Sequence, residues 1–402
     1  MSDHLMRALV FRGRCCIALE TVPIPTIQDP TDVIVRISLT AVCGSDLHPY
    51  YGREVGLDHG TICGHEFVGT IYQLGSTIKE NSTFEINQRV MSPFTCSCGG
   101  CFYCSRGLTA RCVHSQLFGW REQGKGLHGA QAQFIRVPMA ASTLVPIPDD
   151  LTDENALLLG DILSTGYFCA DNAEISEYPK IKHIDNSVEN EGPIVAVVGC
   201  GPVGLISVAA ARYLGAKTVI AVDSISERLA LAEAHYGAKT INISSSEEES
   251  TEINAAVVAL VHSMTDGRGA DCVLEAVGLP AAFTLACELV RPGGVVSVAG
   301  CHSDAVAPMH VIYNKNMTIK SGRCSARHFM DILLPLLKQS AAKYKSESEN
   351  GDESGSDGNE KTFIDLTPII THRLPLTPEA YILFDSKKDG VVKIVMNPWL
   401  DS

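Results

Sequence analysis

The stretch from Cys43 to Glu66 contains a thiol, a hydroxyl and an imidazole at a spacing that suits an open metal site. Ser45 follows Cys43 by two residues, and His65 comes about twenty residues later. Zinc binds sulfur and nitrogen ligands, and a catalytic zinc ion keeps three protein ligands and one position for water or substrate. Cys43 and His65 are therefore candidate ligands, and a third must come from elsewhere in the chain. A buried cysteine and a hydrogen-bonded core histidine are the alternative interpretation.

Four further cysteines form a cluster of a different kind. They are separated by two, two and seven residues, at Cys98, Cys101, Cys104 and Cys112. In a chain without a secretory signal, thiols at such close spacing typically hold zinc in a closed structural site. A nucleic-acid-binding zinc finger is the competing interpretation, and the acidic chain around the cluster argues against it. Cys96 lies just outside the pattern as a spare thiol.

A third motif has the spacing of a nucleotide-binding turn. The buried run from Pro193 to Val198 leads directly into a glycine-rich segment, which opens a helical pattern from Leu205 to Leu214. Such glycines permit a tight turn and a close approach of the backbone to a pyrophosphate, and the helix N-terminus favours negative charge. The candidate phosphate-binding residues are Gly199, Gly201, Pro202, Val203 and Gly204.

An acidic residue predicts which dinucleotide is bound. The second buried strand, from Thr218 to Val222, ends at Asp223, about twenty residues after the glycine-rich segment. The carboxylate can accept hydrogen bonds from ribose hydroxyls, and its charge repels a 2′-phosphate. The sequence therefore predicts NAD rather than NADP as the cofactor.

The elements that must position these residues predict two kinds of domain. Residues 5–40 carry short runs of alternating apolar and polar side chains between prolines, which is typical of a β-rich lobe. After residue 151, buried strands alternate with helices, and later strands are predicted at 271–275, 294–298 and 317–320. This alternation predicts a doubly wound α/β domain.

Composition limits the possible partners. A chain of 402 residues suits two domains, and 45% hydrophobic with 19% charged residues is typical of a well-packed globular protein. The formal net charge of -14 argues against nucleic acid or an anionic membrane surface as a partner. No apolar run approaches the roughly 20 residues that span a bilayer, and the N-terminus lacks the pattern of a signal peptide. We therefore expect a cytoplasmic protein.

Two segments are too polar to contribute to a core. Residues 345–361 are rich in serine, glutamate, aspartate and glycine, which predicts a disordered acidic insertion. A phosphorylated regulatory loop is the alternative. Residues 173–192 are predicted to form a second polar loop.

The order of the motifs resembles that of the zinc-dependent medium-chain alcohol dehydrogenases. The resemblance covers nearly the whole chain apart from the two polar segments. It rests on the segments 43–48 and 64–69, the four-cysteine lobe and the glycine-rich turn. The domains that it implies are a GroES-like catalytic domain over 1–165 with a zinc lobe at 96–112, a Rossmann NAD-binding domain over 166–325, and a return to the catalytic domain over 326–402.

The resemblance also implies roles near the metal. The third ligand of the catalytic zinc falls at Asp161, where animal and plant alcohol dehydrogenases carry cysteine. Aspartate there is similar to the glutathione-independent formaldehyde dehydrogenases and the secondary-alcohol dehydrogenases, and a helix cap is its alternative role. Glu66 matches an alternative or transient ligand, or a residue that stays beside the ligands. Ser45 matches the hydroxyl that takes the alcohol proton, and His48 matches the base that passes it towards solvent, with an ordinary surface histidine as the alternative.

Further positions match the cofactor and substrate sites of that family. Thr165 and Val277 match positions near the nicotinamide, Arg228 one near the adenosine ribose, and Phe94 a wall of the substrate pocket or a core aromatic. The expected activity is reversible hydride transfer between an alcohol and NAD, to give an aldehyde or ketone, in a homodimer or homotetramer with a catalytic and a structural Zn²⁺. The alternatives are a formaldehyde dehydrogenase or dismutase, a polyol dehydrogenase, and a retired dehydrogenase kept as a nucleotide-binding or structural protein.

Overall fold

The computed structural model describes residues 4–178, 181–182, 188–189, 192–243, 250–300, 305–350 and 363–401. Contacts between Cα atoms divide the chain into two units. Unit 1 comprises Met1–Ser164, Ser325–Glu353 and Ile369–Ser402, and unit 2 comprises Thr165–Cys324 and Ser354–Pro368.

Short strands, several of them rich in β-branched side chains, dominate the first part of unit 1. The strands are β1 (Leu5–Gly13), β2 (Cys16–Pro23), β3 (Val33–Val42), β4 (Phe67–Leu74), β5 (Arg89–Met91), β6 (Trp120–Glu122), β7 (Lys125–Leu127), β8 (Phe134–Val137) and β9 (Val145–Pro146). The helices are α1 (Leu47–Tyr50), α2 (Ser76–Asn81), α3 (Ala140–Thr143) and α4 (Asp153–Gly160), with 3-10 turns at Gly44–Asp46, Cys104–Arg106 and Thr109–Arg111.

Strands and helices alternate through unit 2. The strands are β10 (Ile181–Lys182), β11 (Val188–Glu189), β12 (Ile194–Val198), β13 (Thr218–Asp223), β14 (Lys239–Asn242), β15 (Ala270–Glu275), β16 (Val290–Val298) and β17 (Thr318–Ser321). The helices are α5 (Ile162–Asn172), which begins within unit 1, α6 (Pro202–Leu214), α7 (Ser226–Tyr236), α8 (Ser250–Ser263), α9 (Pro280–Leu289) and α10 (Met309–Lys315), with a 3-10 turn at Ile175–Glu177.

The C-terminal part returns to unit 1. Its elements are α11 (Ala326–Asn350), β18 (Ile370–Pro375), α12 (Glu379–Ser386) and β19 (Lys393–Asn397). Helix α11 continues past residue 345, so the first residues of the predicted acidic insertion are helical rather than disordered. The rest of that insertion, and much of the predicted polar loop after residue 178, lie outside the described residues. No helix in the described part of the chain is long and apolar enough to cross a membrane.

The main sheet of unit 1 joins both ends of the chain. Its strand order is β18-β19-β3-β4-β5-β9, and β8 also pairs with β3. Strand β3 is antiparallel to both β19 and β4. Because β3 lies between them, the residues that follow β3, precede β4 and begin β19 are brought to one end of the sheet.

The sheet of unit 2 is parallel and six-stranded, in the order β14-β13-β12-β15-β16-β17. The chain leaves β12 on one side to form β13 and returns on the other side to form β15, which makes β12 and β15 the topological switch point. Ligands of open α/β sheets bind beyond the carboxyl ends of the strands at this point. The predicted doubly wound α/β architecture is confirmed.

Candidate metal centre and cofactor site

Four side chains with ligand chemistry converge in unit 1 beside β3. One ligand atom from each of Cys43, His65, Glu66 and Asp161 lies within 4.8 Å of the others. Cys43 directly follows β3, and the pair His65 and Glu66 directly precedes β4. Asp161 caps the C-terminal end of α4, and its buried carboxylate lies close to the other three groups. The antiparallel pairing of β3 and β4 thus brings together ligands that are distant in sequence.

Short polar contacts join the members of this cluster. His65 Nε2 lies 3.2 Å from Asp161 Oδ2, and Cys43 Sγ lies 3.8 Å from the same oxygen. The Ser45 hydroxyl donates to Cys43 Sγ at 3.3 Å, and its Oγ lies 3.4 Å from His65 Nε2. Burial, followed by the nearby charge of Asp161, raises the pKa of the Cys43 thiol. The structure therefore places Ser45 beside the candidate ligands.

Asp46 orients two of the candidate ligands. Its Oδ2 accepts a hydrogen bond from the Cys43 amide at 3.0 Å, and its Oδ1 lies 3.3 Å from His65 Nδ1. Burial alone lowers the pKa of His65, but Asp46, Asp161 and Cys43 outweigh it and raise that pKa well above its usual value. A carboxylate on Nδ1 fixes the imidazole and leaves Nε2 as the ligand atom. Sequence reasoning assigned no role to Asp46, although an acid three residues after the start of a turn is a capping signal.

A buried lysine accompanies the cluster and was also missed. The Lys393 and Glu66 side chains are 0% exposed, and Lys393 Nζ donates to Glu66 Oε1. Burial lowers the pKa of Lys393, but the charges of Glu66, Cys43 and Asp161 outweigh this effect and raise it. Lys393 begins β19 and is 327 residues from Glu66 in sequence. Only the pairing of β19 with β3 reveals this contact, because no local pattern connects the two residues.

The donor set of the cluster fits a zinc ion. It offers a thiol, an imidazole and two carboxylates, which are the ligand types that zinc binds. Glu66 Oε2 is buried and has no hydrogen-bond partner among the described residues. Buried acceptors are normally satisfied, so an acceptor left over in a group of acceptors indicates that a cation belongs there.

The four-cysteine lobe forms a second cluster in unit 1. The sulfur atoms of Cys98, Cys101, Cys104 and Cys112 all lie within 4.8 Å of one another. Two 3-10 turns carry the second half of the lobe. The Cys98 amide donates to Cys112 Sγ at 3.3 Å. Hydrogen bonds from backbone amides, first that of Cys104, lower the pKa of Cys101 to about 6. Cys96 is buried outside this cluster, as expected for a spare thiol.

The glycine-rich turn lies between β12 and α6 in unit 2. Gly199 has a φ of +93°, in the left-handed region that favours glycine. A Cβ atom at Gly204 would lie 1.9 Å from the carbonyl oxygen of Gly199, so only glycine allows helix and strand to approach this closely. A Cβ atom at Gly201 would meet only Arg228 Nη1, at 3.7 Å, within 4 Å. Pro202 begins α6 and Val203 follows it. This turn leaves space beside the helix N-terminus and fits a pyrophosphate.

Asp223 lies directly beside that turn. It ends β13 and is 9% exposed. Its Oδ2 accepts a hydrogen bond from the Cys200 amide at 2.5 Å, and its Oδ1 accepts one from the Ile225 amide at 2.9 Å. Arg228 is buried on α7, and burial lowers the pKa of its guanidinium although Asp223 acts in the opposite direction.

The remaining candidate residues occupy several elements. Val277 follows β15, is 41% exposed, and its Cγ2 would lie 2.5 Å from a Cβ atom at Gly199. Thr165 lies in α5 and His48 in α1, and both are half-buried. The Phe94 ring is buried and packs edge-on against the His65 ring, with 6.3 Å between the centroids.

Comparisons with known proteins identify the family of the chain. A family model described as "Alcohol dehydrogenase GroES-like domain" matches residues 29–149, and one described as "Zinc-binding dehydrogenase" matches residues 202–339. The "Medium chain reductase/dehydrogenase ucsI" of Acremonium sp is 40% identical over 306 residues, covering 76% of this chain and 97% of that protein.

A second relative and a solved structure show the same similarity. The "Zinc-type alcohol dehydrogenase B" of Aspergillus flavus is 37% identical over 343 residues, covering 85% of this chain and 74% of that protein. The structure of alcohol dehydrogenase TADH from Thermus sp. ATN1 is 33% identical, with a TM-score of 0.78, and covers 98% of this chain and 99% of that one.

These similarities confirm the expected enzyme class and its use of zinc and a nicotinamide cofactor. They do not favour the alternatives of a formaldehyde dismutase, a polyol dehydrogenase or a non-catalytic protein. The chain belongs to the zinc-dependent medium-chain alcohol dehydrogenase family.

Proposed function

We propose that Cys43, His65 and Asp161 hold the catalytic zinc ion of an NAD-dependent alcohol dehydrogenase, and that the four-cysteine lobe holds a structural one. The observation that carries this assignment is the convergence of the candidate ligand atoms within 4.8 Å in a buried site. When bound, zinc supplies Lewis-acid chemistry towards the alcohol oxygen, and NAD supplies the hydride acceptor. In this proposal Glu66 is held by Lys393 and stays beside the ligands.

The side chains around the metal handle the proton of the alcohol. The Ser45 hydroxyl lies within 3.4 Å of both Cys43 Sγ and His65 Nε2, so it stands where a bound alcohol would lose its proton. His48, on the helix that follows Ser45, passes this proton towards solvent, because the unperturbed pKa of an imidazole is close to neutral pH. The ring of Phe94 supplies an apolar wall beside His65.

The cofactor site of unit 2 is proposed to prefer NAD. The turn from Gly199 to Gly204 receives the pyrophosphate, and Asp223 accepts hydrogen bonds from the adenosine ribose hydroxyls while its charge repels a 2′-phosphate. Arg228 lies beside this ribose. Thr165 and Val277 contact the nicotinamide half.

The substrate is proposed to be a small alcohol, or the matching aldehyde or ketone. A homodimer or homotetramer and a cytoplasmic location are proposed from the family resemblance. Light scattering of the purified protein measures the number of copies per particle, and a fluorescent fusion reports the compartment.

Two measurements test this function. The first follows NADH absorbance with primary, secondary and polyol alcohols and formaldehyde, with and without a chelator, and we expect chelation to abolish NADH formation. The second measures zinc in two variants. Asp161→Ala should lose zinc from the catalytic site only, and Cys101→Ser should lose it from the lobe only. Full zinc content and activity in Asp161→Ala would contradict the ligand assignment.

A further inference from the structure

A buried carboxylate ends the strand on one side of the switch point in unit 2. Glu275 is the last residue of β15 and is 0% exposed. It pairs in register with Val198 of β12 on one side and with Val298 of β16 on the other. Burying a carboxylate is costly unless it receives hydrogen bonds. Glu275 lies at the edge of the sheet where ligands bind, so the groups that donate hydrogen bonds to it indicate its role.

Glu275 fixes the loops that follow two neighbouring strands. Its side-chain Oε1 accepts hydrogen bonds from the amides of Val277 and Gly278, each at 2.9 Å. Its main-chain oxygen accepts from the amides of Ala299 at 2.9 Å and Gly300 at 3.2 Å. Both amides donate to the same side-chain oxygen, so this pair of hydrogen bonds holds the 276–278 loop.

The two loops pack closely against each other and against Glu275. A Cβ atom at Gly300 would lie 2.2 Å from the Gly278 amide nitrogen and 2.5 Å from Glu275 Oε2. The Ala276 amide donates to the carbonyl oxygen of Val198 at 3.0 Å, which ties the loop to the strand that enters the glycine-rich turn. As a result, the half-exposed side chain of Val277 lies against Gly199.

We propose that Glu275 is a positioning residue that sets the nicotinamide half of the cofactor site through Val277 and Gly278. This inference rests on the proposed function, because it takes the cofactor to be a nicotinamide dinucleotide bound at the glycine-rich turn. Glu275 acts on the nicotinamide half alone, whereas Asp223 and the helix N-terminus serve the adenosine and pyrophosphate. Removing the carboxylate frees the two amides and lets Val277 leave its place, without disturbing the rest of the turn.

The test compares NADH with ADP-ribose, which lacks the nicotinamide ring. Both are titrated calorimetrically into the zinc-loaded wild type and into Glu275→Ala and Glu275→Gln. We expect Glu275→Ala to raise the Kd for NADH about tenfold and to leave the Kd for ADP-ribose within about twofold. Glu275→Gln keeps an acceptor oxygen and should show a smaller loss in the same direction. In both variants the emission spectrum of bound NADH should also become more similar to that of free NADH.

A matched control separates positioning from general loosening of unit 2. Cys272→Ala removes a buried side chain from the same strand, but its thiol contacts the Ala173 carbonyl and not the 276–278 loop. We expect this variant to have a lower melting temperature but an unchanged ratio of the Kd for NADH to the Kd for ADP-ribose. Equal weakening of both ligands in the Glu275 variants, or unchanged binding of both, overturns the inference. If Glu275→Ala does not fold, the Glu275→Gln titration decides alone. A wild type that binds neither ligand overturns the proposed function together with this inference.

Discussion

Among single residues, Lys393 explains how a group of acids can be buried beside one another. Its ammonium pairs with Glu66 with no exposure of either side chain, and the charges of Cys43 and Asp161 act on it as well. An unpaired buried charge costs several kcal/mol, so each member of this pair requires the other. The lysine therefore compensates the Glu66 carboxylate and, in the proposed zinc site, leaves Cys43, His65 and Asp161 as ligands.

The first prediction concerns this lysine. Lys393→Met should lower the free energy of unfolding by about 3–5 kcal/mol, because it leaves the Glu66 charge buried without a partner. Lys388→Met, at an exposed position of the same segment, should change it by less than about 0.5 kcal/mol. The measurement is urea denaturation followed by circular dichroism. The double variant Glu66→Leu/Lys393→Met should recover part of the loss, and a single variant no less stable than the Lys388 control would contradict the assignment.

Asp223 gives the second prediction. Asp223→Asn keeps an oxygen acceptor for one of the two neighbouring amides but removes the charge that repels a 2′-phosphate. We expect the ratio of kcat/KM for NAD to that for NADP to fall about tenfold, equivalent to about 1.4 kcal/mol. Asp266→Asn, which changes an exposed acid in the same unit, should leave the ratio unchanged. Equal loss with both cofactors would remove Asp223 from the ribose role.

Among the elements, the ends of strands do most of the positioning. The proposed metal ligands follow β3, precede β4 and follow α4, and the proposed cofactor residues lie at the carboxyl ends of β12, β13 and β15. Such sites combine a rigid sheet with short turns whose side chains can differ in chemistry. The Gly199–Gly204 turn is the clearest case, because the backbone conformation at Gly199 and the close packing at Gly204 exclude other residues at those two positions.

The third prediction tests this turn with a pair of glycines. Gly204→Ala would place a methyl group 1.9 Å from the Gly199 oxygen, so helix α6 must move away from β12. We expect a loss of about 1–3 kcal/mol in stability together with weak NADH binding. Gly201→Ala meets no such obstacle and should fold with nearly wild-type stability, while its methyl group hinders the pyrophosphate. Thermal denaturation and NADH titration of both variants check this. Two equally stable variants would show that the close approach is not limiting.

Local sequence patterns predicted the secondary-structure elements well, but they did not predict the contacts between those elements. The run that became β12 is uniformly apolar, and β13 and β15 have apolar centres at 219–222 and 272–274, so all three were recognisable from sequence. Strand β16 was predicted from Gly294, but it begins at Val290, which pairs with Ala270 despite the Pro292 and glycines that signal a turn. Asp46 lies within the 43–48 motif and was given no role, because its contact with His65 depends on the fold. The contribution of Lys393 depends on a strand pairing, and a single sequence carries no signal for it.

For the whole molecule, metal and cofactor chemistry are divided between the two units. Both ligand clusters found among the described residues belong to unit 1, whereas the glycine-rich turn, Asp223 and Val277 belong to unit 2. The two tryptophans of the chain, Trp120 and Trp399, are also both in unit 1. Tryptophan fluorescence therefore reports on one unit selectively.

The fourth prediction uses this division. Metal bound only to the folded state stabilises it, so chelation should lower the midpoint of the fluorescence-detected thermal transition. The unfolding of unit 2 should be detected by circular dichroism without a change in fluorescence. Chelation should leave the midpoint temperature of this second transition unchanged, and NADH should raise it. Multidomain chains commonly unfold in separate steps, which makes the comparison possible. Equal shifts of both midpoints on chelation would show that metal stabilises both units, which would contradict this prediction.

The place of β19 in the unit 1 sheet has a consequence for how the protein is made. Strand β3 pairs with β4 soon after both leave the ribosome, but its other neighbour, β19, is translated only after the whole continuous part of unit 2. Domains fold as they emerge from the ribosome, so unit 2 can fold before the C-terminal strands of unit 1 have been made. Until then Glu66 has no lysine partner and the sheet beside the metal ligands has an open edge. Newly made chains therefore pass through an interval in which all four residues of the cluster are present but the sheet beside them is incomplete.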